Sequence, residues 1–393
     1  MPHNFDEVFD NSDLDSKKHS PEYYPADVIP MWIADTDFKS PQAVTEAIID
    51  RARIGRFGYT VTSRRLQEAV AGWMKRRFGW EADPAWVEFC PGVMAGVTAA
   101  CRSLLHPGDN IVIQTPCYTP FMAMARNNGW NLLRNEMVNK GDSWAIDYKD
   151  LEDKLSQPRT KLFILCNPQN PTGYVFAKDE LLHIACLCKK YGVYIISDEI
   201  HCDYVYTGNH HNSLSSLDEE LSQLCITFVN PSKTFNVAGL HTAAFICPNP
   251  ELKNNVHQQL LAQKNCSENI FGTVALCTAY ESCDDYADDL IAYVEKNMKT
   301  AVSQLSGIEG LKIIPPEGTY LLWIDCRDWK LSQDELMDFF VHKAKVGVSS
   351  GTDYGPEGEG FVRMNMGCTM STLLEAIGRI KSAVEKNGLT SGK

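Results

Sequence analysis

The chain has 393 residues, 44% hydrophobic and 22% charged, an ordinary balance for a globular protein long enough to need no disulfide or metal staple. Its 37 basic and 50 acidic side chains leave a net charge of −13, which excludes the basic footprint of a general nucleic-acid or anionic-membrane surface. The N-terminal MPHNFDEVFDNSDLDSKKHS is too polar for a leader peptide, and no apolar run is long enough to cross a membrane. Most of the 14 cysteines sit in apolar stretches such as KLFILC and AFIC, where a reduced thiol behaves as a small hydrophobe. The expected setting is therefore the cytoplasm, with free thiols. Cys186-x-Cys188 has no second ligand pair at zinc spacing, and no metal site is expected.

In chain order, an irregular arm leads to Ser40-Pro41, which reads as a cap and first helical residue before QAVTEAIIDRAR. Helices are expected over 62–78 and 96–105, with a short strand at 86–90 between them. Short apolar runs follow (IVIQ, KLFILC, VYIIS, CITFV, AAFIC), separated mostly by helical stretches, the βαβ pattern of a largely parallel sheet. A long helix over 284–305 then gives way to a mixed segment: LKIIP, TYLLWID, a helix at 332–343, VGVSS, FVRMNM and a last helix at 371–387. The expected division is an arm over 1–48 that joins the small domain, a large domain over 49–288 and a small α+β domain over 289–393.

Ligands of open α/β sheets bind beyond the carboxyl ends of the strands, so the residues after each apolar run matter most. KLFILC is followed by Asn167-Pro168-Gln169-Asn170-Pro171-Thr172-Gly173 and VYIIS by Asp198-Glu199-Ile200-His201. CITFV is followed by Asn230-Pro231-Ser232-Lys233, and EFC by Pro91-Gly92-Val93-Met94 at a helix start. Each alone has an ordinary explanation: a capping acid, a solvated lysine, a proline-rich turn, a strand-to-helix bend. Together they place an amine, a carboxylate and phosphate-ready backbone amides along one edge, the parts of a pyridoxal-phosphate site.

The motifs PSKTFNVAGL, NPQNPTG, SDEIH, FGYT and MWIADTDF, in that spacing, resemble the fold-type-I class I/II aminotransferase superfamily nearly end to end. Within it the chain is most similar to cystathionine β-lyases of the MalY/PatB type. The resemblance implies a large domain with a mostly parallel seven-stranded sheet, pyridoxal 5′-phosphate as cofactor, and β-elimination on a sulfur-containing L-amino acid. It implies that Lys233 bonds the cofactor aldehyde, Asp198 pairs with the ring nitrogen, Asn170 meets the ring oxygen and Tyr118 stacks on the ring. Val93 and Met94 amides and the Ser232 hydroxyl would hold the phosphate, and Tyr59 would reach the phosphate of a neighbouring subunit, making a homodimer. Arg363 would grip the substrate carboxylate, with the Ala34 backbone, Asn170 and Tyr59 also at the substrate.

Two positions depart from the wider superfamily: His201 stands where tyrosine is usual and joins the cofactor-site residues, and His241 where a phosphate-binding arginine is usual. Both favour the lyase branch and leave the phosphate one cation short. An aminotransferase is the first alternative, and a lyase with an added protein-binding role is another. A serine hydrolase, raised by Gly347-Val348-Ser349-Ser350-Gly351, fails because a turn-rich loop, not a helix, follows the serine. Asp37 and Trp32 are read as structural residues where the arm meets the site.

Overall fold

The computed structural model describes residues 3–9, 15–264 and 267–389. The apolar runs form a seven-stranded sheet in the order Val87–Cys90, Ala243–Ile246, Cys225–Val229, Tyr194–Asp198, Thr160–Cys166, Asn110–Thr115, Asn131–Glu136. Neighbours are parallel except around Ala243–Ile246, which runs antiparallel to both of its partners. Alternation along each strand divides its side chains between two buried layers. Ile111, Ile113, Leu162 and Ile164 pack with helices Val93–Leu104 and Pro250–Ala262, while Val112, Phe163 and Leu165 pack with Lys178–Tyr191. The register sets Cys166 beside Asp198 and Asp198 beside Phe228, so three strands end together and release their polar turns at one edge.

Several boundaries differ from expectation. The outermost strand, Asn131–Glu136, is not among the apolar runs because an edge strand exposes much of its length and reads as polar. The helix after Cys90 begins at Val93, not at residue 96. Gly92, at φ +103, is its N-cap. Gly96 marks contact rather than a start: a Cβ there would lie 2.5 Å from Phe228 and 2.8 Å from the Cys90 sulfur. Pro41 is the N-cap of helix Gln42–Arg53, and the Ser40 hydroxyl donates instead to the Asn236 carbonyl at 3.3 Å. The helix expected over 332–343 is an α segment, Gln333–Asp338, continued by a π turn, Phe339–Lys343.

The C-terminal part holds a three-stranded antiparallel sheet in the order Leu321–Asp325, Phe361–Asn365, Ser349–Ser350. Helix Asp284–Leu305 serves two cores: Tyr286, Leu290 and Val294 face the large-sheet side, and Met298, Ala301 and Leu305 face the C-terminal sheet. The arm is woven into this second part. Ile29–Pro30 pairs in parallel with Val346–Gly347, and the Asn365 amide donates to the Met31 carbonyl at 2.8 Å. Among the described residues no helix is long and apolar enough to cross a membrane.

Candidate active site

Lys233 stands on the short helix Ser232–Phe235, which Asn236 ends in the left-handed region at φ 53. Its backbone is held from beneath: the Tyr204 hydroxyl donates to the Lys233 carbonyl at 2.9 Å, and the Thr234 hydroxyl donates to the buried Asp203 carboxylate. The Lys233 amine donates to the Ala34 carbonyl at 2.7 Å. Desolvation lowers this amine below the ordinary lysine range; Asp35 and Asp198 oppose that effect and Arg363 adds to it.

Asp198 ends its strand with its carboxyl buried and pushed up to about 7 by that burial, although the Ile200 amide donates to it at 3.2 Å. The next residue, Glu199, is buried among different partners. It accepts from the Ser197 and Ser213 hydroxyls at 2.8 and 3.0 Å and pairs with His211 Nε2 at 2.9 Å. His201 is buried edge-on to Tyr320, and burial, aided by the Lys233 and Arg363 charges, pushes it well below the usual histidine range. Its ring is therefore neutral at pH 7.

Arg363 reaches in from the C-terminal sheet. One guanidinium nitrogen donates to Asn170 Oδ1 at 3.0 Å, another to the Trp32 carbonyl at 2.8 Å, and the group lies 4.9 Å from the Tyr354 ring centroid. Asn170 is fixed by a turn in which Asn167-Pro168 and Asn170-Pro171 are both cis. The Ala34 carbonyl also accepts from the Tyr320 hydroxyl at 3.0 Å, so one arm residue links Lys233 to the C-terminal sheet.

These groups share a cavity of about 590 Å³. It brings together Ala34, Val93, Met94, Tyr118, Asn170, Asp198, His201, Ser232, Lys233 and Arg363, all of them singled out in the sequence. Tyr59 does not join them; it is wholly exposed, on a segment outside any helix or strand. His241 is exposed, at φ 47, and does not line the cavity. Asp37 is held by Lys18 at 2.6 Å, whereas Trp32 lines the cavity directly. Sequence reading passes over Lys17, Asp353 and Tyr354, which belong to no motif, assigns no role to Asp35 although it lies inside MWIADTDF, and dismisses Ser349 together with its hydrolase pattern. Ser349 in fact donates to the Trp32 carbonyl at 2.9 Å. No cluster able to hold a metal occurs among the described residues.

Pyridoxal phosphate fits this donor set. The Val93 and Met94 amides open a helix whose glycine cap has no side chain to satisfy them, a ready phosphate seat, with Ser232 alongside. Among the described residues, buried Asp198 has no cationic partner within bonding reach, as an acid awaiting a protonated ring nitrogen should.

The family model for aminotransferase class I and II matches residues 26–380. The chain is 41% identical over 359 residues to the cystathionine beta-lyase PatB of Bacillus subtilis, covering 91% of this chain and 93% of that protein. Among solved structures it is similar to cystalysin of Treponema denticola, which contains pyridoxal 5′-phosphate (TM-score 0.94, 30% identity, 98% of this chain and 100% of that one). It is also similar to the PLP-bound C-S lyase of Staphylococcus hominis (TM-score 0.90, 28% identity, 98% of this chain and 100% of that one). The chain belongs to the class I and II aminotransferase family.

Proposed function

We propose that this protein is a pyridoxal-phosphate-dependent carbon–sulfur lyase. It cleaves the Cβ–S bond of cystathionine or an S-substituted cysteine to give a thiol, pyruvate and ammonia. The observation that carries this reading is the convergence of a desolvated amine (Lys233), a buried acid (Asp198) and a carboxylate clamp (Arg363) on one cavity. The lyases among its relatives favour elimination over amino transfer.

The bound cofactor supplies an aldehyde for amine exchange and a ring that accepts the electrons of the substrate's α carbon. Arg363, pre-oriented by Asn170 and the Trp32 carbonyl, binds the α-carboxylate and fixes which bond faces Lys233. Lys233, once free, removes the α proton; its lowered pKa keeps a larger share of the amine neutral for that task. Asp198 would hold a proton at the ring nitrogen, and Tyr118, which lines the same cavity, would stack on the ring. Lys233 then returns its proton to the departing sulfur, and the remaining three-carbon fragment hydrolyses to pyruvate and ammonia. We further place the working unit in the cytoplasm as a homodimer, with exposed Phe57, Tyr59 and Val61 packed on a second copy and Tyr59 at that copy's phosphate.

The test is product analysis with cystathionine and no keto-acid acceptor. Stoichiometric thiol and pyruvate are expected. Turnover only after an acceptor is added would assign the chain to amino transfer.

A further inference from the structure

We propose that the loop residues His211-Asn212-Ser213 staple the exits of two strands together and so set the span between Asp198 and Asn170, which makes Glu199, His211 and Ser213 positioning residues for the cofactor ring. This rests on the assignment of Asp198 to the ring nitrogen and Asn170 to the ring oxygen. It holds for any reaction the bound cofactor performs.

Cys166 and Asp198 close their strands as register partners. Past that pair, one backbone bond among the described residues still joins the two exits, from the Asn167 amide to the Asp198 carbonyl at 3.0 Å. The sheet alone therefore leaves the direction of the following turns loosely fixed. The loop supplies the rest. The Asn167 side-chain amide donates to the Asn212 carbonyl at 3.1 Å. On either side of Asn212, His211 Nε2 meets the Glu199 carboxylate at 2.9 Å and the Ser213 hydroxyl donates to it at 3.0 Å. Three consecutive residues thus grip the first residue after each strand.

The grip is buried: Asn167 and Glu199 are 0% exposed, Ser213 1% and His211 2%. Phe78 backs the His211 ring edge-on at 5.0 Å between centroids. Asn167 also accepts from the Phe176 amide at 3.3 Å, and the Glu199 amide donates to the Phe228 carbonyl at 3.0 Å. None of these gripping groups lines the cofactor cavity. A buried polar network stabilises no more than well-packed apolar side chains of the same volume, so its value lies in the single arrangement it enforces. Asp198 precedes one gripped residue and Asn170 follows the other by three. The turn between Asn167 and Asn170 transmits the grip, with the Gln169 amide bonded to the Tyr174 carbonyl and the Gly173 amide to the Gln169 carbonyl, both at 2.8 Å. Asp198 and Asn170 would meet two points of one rigid ring, which cannot absorb an error in their separation. A first shell of this kind is only as exact as the contacts behind it.

The experiment strips the full-length enzyme of cofactor and titrates it with pyridoxal phosphate or with 3-deoxypyridoxal phosphate, which lacks the ring oxygen. Each variant is compared with wild type on the same cofactor form. Asn170→Ala is the benchmark and should weaken the natural form alone. His211→Leu should raise the Kd of the natural form about tenfold and that of the deoxy form less than about twofold, because a ring held at one point tolerates a changed span. Ser213→Ala, a milder cut, should act in the same direction by about threefold. His211→Gln, whose amide can donate from the place of Nε2, should restore wild-type binding of both forms. Equal losses on the two forms, or wild-type binding of the natural form by both His211→Leu and Ser213→Ala, overturns the proposal. If Asn170→Ala weakens both forms alike, the ring-oxygen assignment is at fault, and the gauge of ring span falls with it.

Discussion

At the floor of the cavity, Asn170, Asp198 and Lys233 each sit within a few residues of a strand end, on neighbouring strands whose register aligns those ends. The rest of the lining, here called the mouth, takes Lys17 and Trp32 from the arm and Asp353 from a short turn, and it is assembled from contacts between segments more than 300 residues apart, such as Ser349 to Trp32. The floor inherits its precision from a close-packed sheet; the mouth depends on a few hydrogen bonds and stacked rings. Chemistry that tolerates little displacement belongs on the first, and selectivity that can be retuned by a side chain belongs on the second.

The contrast can be broken most decisively at Lys233. Lys233→Ala should reduce thiol release by at least about 10⁴-fold while leaving the circular dichroism spectrum unchanged, since one residue both exchanges with substrate and moves the proton. A variant that kept wild-type rates would show that the floor does not hold the chemistry. Arg363 bridges the two regions, bonded to Asn170 on one side and packed on Tyr354 on the other. Arg363→Lys loses the planar fork, so KM should rise about 10–100-fold with a smaller change in kcat. An unchanged KM would contradict the placing of Arg363 at the substrate carboxylate.

The subtlest probe is pH. In the cofactor-free protein Asp198 titrates near 7 rather than near its ordinary 3.8. Between those values the folded chain keeps a proton that the unfolded chain has released, so this residue's contribution to stability is full at low pH and declines as pH rises toward 7. Asp198→Asn removes the titration. The melting temperature of the cofactor-free variant should therefore gain on that of the wild type across this window, with no further gain above it. A constant difference from pH 4 to 8 would contradict the unpaired, buried acid described above.

The legibility of the sequence follows the same division. Strands buried on both faces are written as uninterrupted apolar runs, so the turns after KLFILC, VYIIS and CITFV stand out, and with them Asn170, Asp198 and Lys233. The edge strand Asn131–Glu136 has four polar residues in six and hides. Gly96 reads as a helix start because the sequence does not reveal that Phe228 presses against it. Lys17 and Asp353 are ordinary surface charges until folding brings the two ends of the chain to one cavity. Arg363 is found through its motif, but its hold on the Trp32 carbonyl is a tertiary fact. Tyr59 is named by its motif, yet within this chain nothing covers it.

The strap from Met31 to Asp35 carries a consequence for how the protein comes into being. Its carbonyls are engaged by Asn365, Arg363, Ser349 and Tyr320, residues the ribosome delivers at least 286 positions later. The strap is thus made well before the residues that hold it and settles late, although earlier regions generally fold first during translation. The resting place of the Lys233 amine, Ala34, is on that strap. A nascent chain stalled short of residue 345 could complete its large sheet and still lack the Ser349 and Arg363 contacts that finish the pocket.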